Sequence, residues 1–119
     1  MLFLRVEKKQ IENTLVDIET FRQLALSFPE TIEQSHFDKT SFRVKKKIFA
    51  TLDIKNSRAC LMLSEMDQSV FCAYDKSIIY PVPNKWGRHG ATFVELKMVR
   101  KTMLKDALKQ AYTKITVKQ

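Results

Sequence analysis

The sequence predicts an α+β fold, a two-layer sandwich in which helices cover one face of an antiparallel sheet. Three observations predict it. Amphipathic helical stripes stand on either side of the strand-like segments, those segments are short and alternating, and the connection at Lys45-Lys46 is short enough only for an antiparallel hairpin. With 119 residues, 45% of them hydrophobic and 29% charged, the chain suits one domain with a packed core that needs no disulfide or metal.

Residues 1–16 show no clean period and read as an N-terminal extension, leaving 17–119 as the domain. Asp17 is an N-cap candidate for a helix over 18–28, because Ile18, Phe21, Leu24, Ala25 and Phe28 recur at helical spacing and Pro29 ends the run. The polar, acidic stretch 31–38 reads as a connection. Strands follow at Ser41–Val44 and 47–53, the latter alternating Ile48, Ala50 and Leu52 against Phe49 and Thr51. Lys45-Lys46 is a poor two-residue turn, since such turns favour residues that tolerate positive φ, and a longer turn is the alternative. A third strand spans Arg58–Leu63. Ser64, three residues before Asp67, resembles a helix-capping signature and opens a short helix to about Tyr74.

Ile78–Tyr80 reads as a strand at the sheet edge, because Pro81 and Pro83 withdraw ladder donors. The loop 84–90 holds both glycines of the chain, and a strand at 92–98 leads to a final helix from Arg100 along Leu104, Ala107, Leu108, Ala111 and Ile115. The predicted order is α-β(3)-α-β(2)-α.

Twenty-one Lys and Arg against thirteen Asp and Glu give a net charge of +8, which favours anionic partners. The charge is uneven. Residues 10–38 carry six acids against Arg22 alone, whereas 43–58 carry six bases against Asp53 and 97–119 carry seven against Asp106. Cys60 and Cys72 have neither disulfide-framework nor zinc-knuckle spacing and read as buried, reduced thiols. The apolar opening Met1–Leu4 is too short for a signal peptide and no run reaches membrane-spanning length, so a cytoplasmic protein without membrane contact is expected.

The stretches Leu24–Thr31, His36–Val44 and Lys47–Leu52, then Lys85–Thr92 and the helix around Leu104–Leu108, resemble the MmcQ/YjbR family over roughly residues 17–116. That resemblance implies a compact α-β(3)-α-β(2)-α domain akin to secretion chaperones. Family members are mostly uncharacterised and are regarded as possible DNA-binding proteins through a proposed double-wing arrangement of hairpins; the resemblance brings no catalytic residues. Here Lys45-Lys46 occupy a turn that commonly carries glycine in the family, which raises the charge at its tip.

Three features are candidates for contact with nucleic acid. Arg43, Lys45, Lys46 and Lys47 cluster at a hairpin tip that can straddle a phosphate backbone, the bland alternative being a solvated turn that keeps a sheet edge from pairing. Trp86, Arg88 and His89 combine a stacking ring, a cation and a titratable ring in a glycine-flanked loop, although Trp86 can equally plug the core rim. Lys101, Lys105 and Lys109 stand one turn apart beside the apolar stripe of the last helix, where such lysines often just cover apolar surface. A metal site at His36 and His89 with a cysteine has no support in the spacing, and both histidines read as structural.

No nucleophile elbow, phosphate-cradling loop or paired catalytic carboxylates occur, so no enzyme and no cofactor are expected. The leading expectation is a small DNA-binding domain that meets the phosphate backbone, or another polyanion, through the basic hairpin and the aromatic loop. Its rival is a chaperone-like module that docks a protein partner.

Overall fold

The computed structural model describes residues 16–117. The expected N-terminal extension, apart from Val16, lies outside the described residues. Asp17 caps the first helix as its sequence predicts, its carboxylate accepting from the Thr20 amide at 2.7 Å. Helix α1 (Ile18–Leu26) buries Phe21 and Ala25 and ends two residues earlier than its apolar spacing suggests. Four strands follow, β1 (Ile32–His36), β2 (Lys39–Val44), β3 (Lys47–Asp53) and β4 (Arg58–Met62). Helix α2 (Glu65–Cys72) starts at Ser64, whose hydroxyl accepts from the Asp67 amide at 3.0 Å. Then come β5 (Ile79–Pro81), the short α3 (Lys85–Arg88), β6 (Ala91–Glu95) and the long α4 (Lys101–Thr116).

All six strands join one antiparallel sheet in the order β1-β2-β3-β4-β6-β5. The edge place expected for the proline-cut strand is where β5 lies. The other edge, β1, is an addition to the five strands read from the sequence. It occupies the polar stretch 31–38, which reads as a connection because four of the strand's five side chains are exposed and carry no alternation. Arg43 is paired with Ile48 but Phe42 with Ala50, so β3 carries a bulge at Phe49. That extra residue overturns the expected alternation: Phe49 is fully buried, stacking edge-on to Phe28 and Tyr112, and shares the helix side with Ala50 and Leu52.

Register sets which face the described helices cover. Phe42, Ala50, Leu61 and Thr92 form one cross-strand row, and Leu52, Ala59, Val94 and Ile79 the next, all of them buried. Against these rows α4 lays Leu104, Ala107, Leu108 and Ala111, and α1 adds Phe21, whose ring meets Phe42 edge-on at 5.6 Å. The opposite row runs Gln34, Ser41, Thr51, Cys60, Phe93 and Tyr80, and no described helix lies across it. No helix among the described residues is long and apolar enough to cross a membrane.

Candidate functional site

The Lys45-Lys46 turn has the two residues first drawn for it. Both adopt positive φ, 49° and 74°, the arrangement that hairpin twist demands and that Asn-Gly meets with far less strain. Lys45, Lys46 and Lys47 are all exposed, so the turn projects three ammonium groups into solvent. Beside it, Val44, Tyr112 and Ile115 line a hollow of about 410 Å³ between the hairpin and the end of α4, with Glu30 across from the lysines.

At the other end of β2 the chain turns through Phe37 and Asp38. Phe37 also has positive φ, 60°, which is unusual for a bulky side chain, and its ring is 94% exposed. This ring guards a cleft of about 390 Å³ on the open face of the sheet. Phe93, Met62 and Cys60 form its floor, Lys39 and His36 stand on its β1–β2 side, and Trp86 closes the far side. Burial pushes the Cys60 thiol up to about 11, so this sulfur acts as apolar wall and not as a nucleophile. Cys72 is buried in the core, and both cysteines are free. Among the described residues, no three of His, Cys, Asp and Glu cluster as metal ligands would.

Trp86 is held from beneath. Its amide donates to the Asn84 side chain at 2.8 Å, which caps α3. Gln68 of α2 donates to the carbonyls of Gly87 and Ala91, at 2.8 and 3.1 Å, and ties α3 to β6. Gly87 is required because a Cβ there would fall 1.8 Å from the Val82 carbonyl oxygen; Gly90 combines a φ of 106° with the same crowding against Leu63. The glycines therefore press α3 onto the sheet end, and Trp86 remains 62% exposed instead of plugging the core rim. Lys85 places its ammonium 5.7 Å from the Trp86 ring centre, and Arg88 and His89 are exposed on the same short segment.

Further along the open face, Arg58 lies 4.2 Å over the Phe93 ring while Tyr80 donates to Glu95. Hydrogen bonding to Tyr80 raises the Arg58 pKa, and burial raises that of Tyr80. The Arg58 Nε is buried with no protein acceptor.

The sequence candidates thus fall into two groups. Arg43 lies on the open face, and the Trp86 segment, which leads into Ala91, lies by register at the hairpin end of the sheet three strands across from β2, so the cleft runs diagonally from Phe37 to Trp86. Lys47, paired with the core-facing Val44, turns to the helix layer. Lys101, Lys105 and Lys109 belong to the helix layer on the other side of the sheet, with Lys105 and Lys109 exposed and Lys101 half-buried. None of the nominated cations has an ion-pair partner among the described residues. Phe37 and Lys39 escaped sequence reasoning, since nothing in a polar connection reveals a hairpin; the dipeptide Phe37-Asp38 before an alternating run was the available signal.

A two-layer α+β domain, with one sheet face packed by helices and the other carrying a cleft between exposed aromatic rings, is the class this architecture defines. Residues 26–114 match the model of the YjbR family, and the chain belongs to that family. It is also similar in fold to the crystal structure of Deinococcus radiodurans protein DR2400, a DUF419 domain. That likeness has a TM-score of 0.74 at 21% identity and covers 87% of this chain and 81% of the other. No curated protein matches the chain.

Proposed function

We propose that this protein is a small basic nucleic-acid-binding domain, with DNA as its polyanion, that grips the phosphate backbone through the β2–β3 hairpin. The single observation that carries the reading is the Lys45-Lys46 turn. Two lysines sit in left-handed conformations where asparagine and glycine would be less strained, and such strain is retained where the side chains have work to do. Their ammonium groups are exposed and free of ion pairs among the described residues, in a chain of net charge +8. Arg43 stands two residues behind the tip, and the Trp86 segment adds Lys85 and Arg88 three strands away across the sheet.

Binding of short DNA, measured by fluorescence polarisation across a salt series, tests this. Affinity is expected to fall steeply with salt, because each neutralised phosphate releases counterions. Lys45→Glu with Lys46→Glu is expected to reduce the log–log salt slope by roughly 1.4 to 1.8 and to weaken all sequences alike. Salt-independent or absent binding by a folded protein refutes the reading.

The protein-docking alternative has an observation of its own. Met66, Val70 and Tyr74, one turn apart on and just after α2, are exposed by 77%, 64% and 55%. Recovery of one stoichiometric protein, and no nucleic acid, on this domain from nuclease-treated lysate favours that alternative.

A further inference from the structure

Strand β2 is bracketed by two strained turns, and each presents a different chemistry. Phe37 at one end stands in solvent at a φ of 60°, and Lys45 and Lys46 stand at the other. A bulky ring held in a left-handed turn, meeting only the His36 ring edge-on at 4.9 Å and otherwise in solvent, contributes little to folding. The same ring faces the cleft whose other side is Trp86.

Between the two turns the open face of β2 carries cations. Lys39 lines the cleft, while Ser41 and Arg43 follow at alternate positions, the Arg43 guanidinium donating to the Ser41 hydroxyl at 2.7 Å. The turn follows, with Lys46 exposed at its tip and Lys45 lining the hollow toward α4. Acids on this side gather at the cleft end, where Asp38 accepts from Lys39 at 3.3 Å and Asp53 lies within electrostatic reach of Lys39. Glu33, which is paired in register with the core-facing Phe42, points to the helix layer and engages Arg22 at 2.7 Å. The β2 cation without an ion pair among the described residues is therefore Arg43, next to the turn lysines, and the apolar cleft opens beside Lys39.

Two exposed rings at either end of one cleft, and cations beside it that have no ion pair among the described residues, fit a polymer with planar apolar units on an anionic backbone. In a duplex, base faces are stacked on one another and are closed to a protein ring; in an unpaired strand they are free. From this arrangement we infer that the open face binds single-stranded nucleic acid, with bases stacked on Phe37 and on Trp86 and neighbouring phosphates on Arg43 and the Lys45-Lys46 turn. The inference rests on the nucleic-acid reading above and names its preferred substrate form.

The test uses the full chain, a short oligothymidylate and a duplex of equal length. The single strand is expected to bind at least about 10-fold more tightly than the duplex, base stacking on an aromatic ring being the difference. Trp86 is the sole tryptophan, so its emission reports the cleft directly and is expected to be quenched at saturation. Phe37→Ala removes an exposed ring and is expected to weaken the single strand by roughly 5- to 150-fold, with duplex binding and the salt slope unchanged. Phe37→Tyr is expected to restore the loss. Equal affinity for both forms with unmoved Trp86 emission overturns the inference and leaves phosphate binding by the hairpin standing. Absence of any salt-dependent binding overturns both.

Discussion

Lysine residues 45 and 46 carry a local conflict that their neighbours resolve. Val44 and Lys47 are the last ladder pair, so the two residues between them must turn the chain with a twist that matches the strands, and this forces positive φ on both. Each left-handed non-glycine residue costs on the order of 1 kcal/mol. Lys45→Asn with Lys46→Gly is therefore expected to stabilise the domain by about 1 kcal/mol or more, raising Tm by roughly 4 to 8 °C for a domain of this size. The same change removes two of the hairpin's ammonium groups and is expected to weaken DNA binding, so scanning calorimetry and polarisation titration should move in opposite directions. A stability gain with unchanged binding would leave the strain without a functional reason. Sequence made the poor turn visible, and its two-residue length followed from the strands on either side. It could not disclose Phe37, whose strain depends on a partner strand that the sequence hides.

Among the elements, legibility follows burial. Helices α1, α2 and α4 and the inner strands announce themselves because an apolar face must repeat at the period of the element. Strand β1 offers no such face: Ile32, Glu33, Gln34 and Ser35 are exposed, and the strand is held by its ladder to β2 and by Glu33 reaching Arg22 of α1. Helix α3 is only four residues long and is fixed by Asn84, Gln68 and two crowded glycines, none of which makes a period. The β3 bulge is equally silent, since Phe49 fits either alternation until Phe28 and Tyr112 claim it. The tie between β1 and α1 also has a pH signature. Hydrogen bonding to Arg22 holds Glu33 below its ordinary value of 4.5, and Asn56 holds Asp53 below 3.8. Folded-state values below the unfolded ones mean that this stabilisation is fully present above about pH 5 and is lost as pH falls through the lowered values. Urea midpoints are expected to stay flat from neutrality to about pH 5 and to drop below pH 4, with a shallower drop in Glu33→Gln. An identical acid profile in that variant would remove Glu33 from the account.

Across the whole molecule, the sheet divides the positive charge. A net charge of +8 read along the chain gives one prospect of a basic surface, but the fold sends the α4 lysines to the helix layer and the β2 cations to the open face. A strand of nucleic acid lying along β2 touches the second set and feels the first only as a distant field, which salt screens within about 8 Å at physiological ionic strength. Charge reversal at Lys101, Lys105 and Lys109 together is therefore expected to lower affinity modestly at low salt, to lose that effect near physiological salt, and to leave the salt slope of direct contacts unchanged. Reversal at Lys45 and Lys46, by contrast, should reduce the single-strand slope by roughly 1.4, about 0.7 for each phosphate contact removed. Parallel salt series on the two variants separate contact from field. Should the α4 triple variant be the one that loses slope, the backbone path belongs to the helix layer, and the open face would hold the aromatic cleft without the strand.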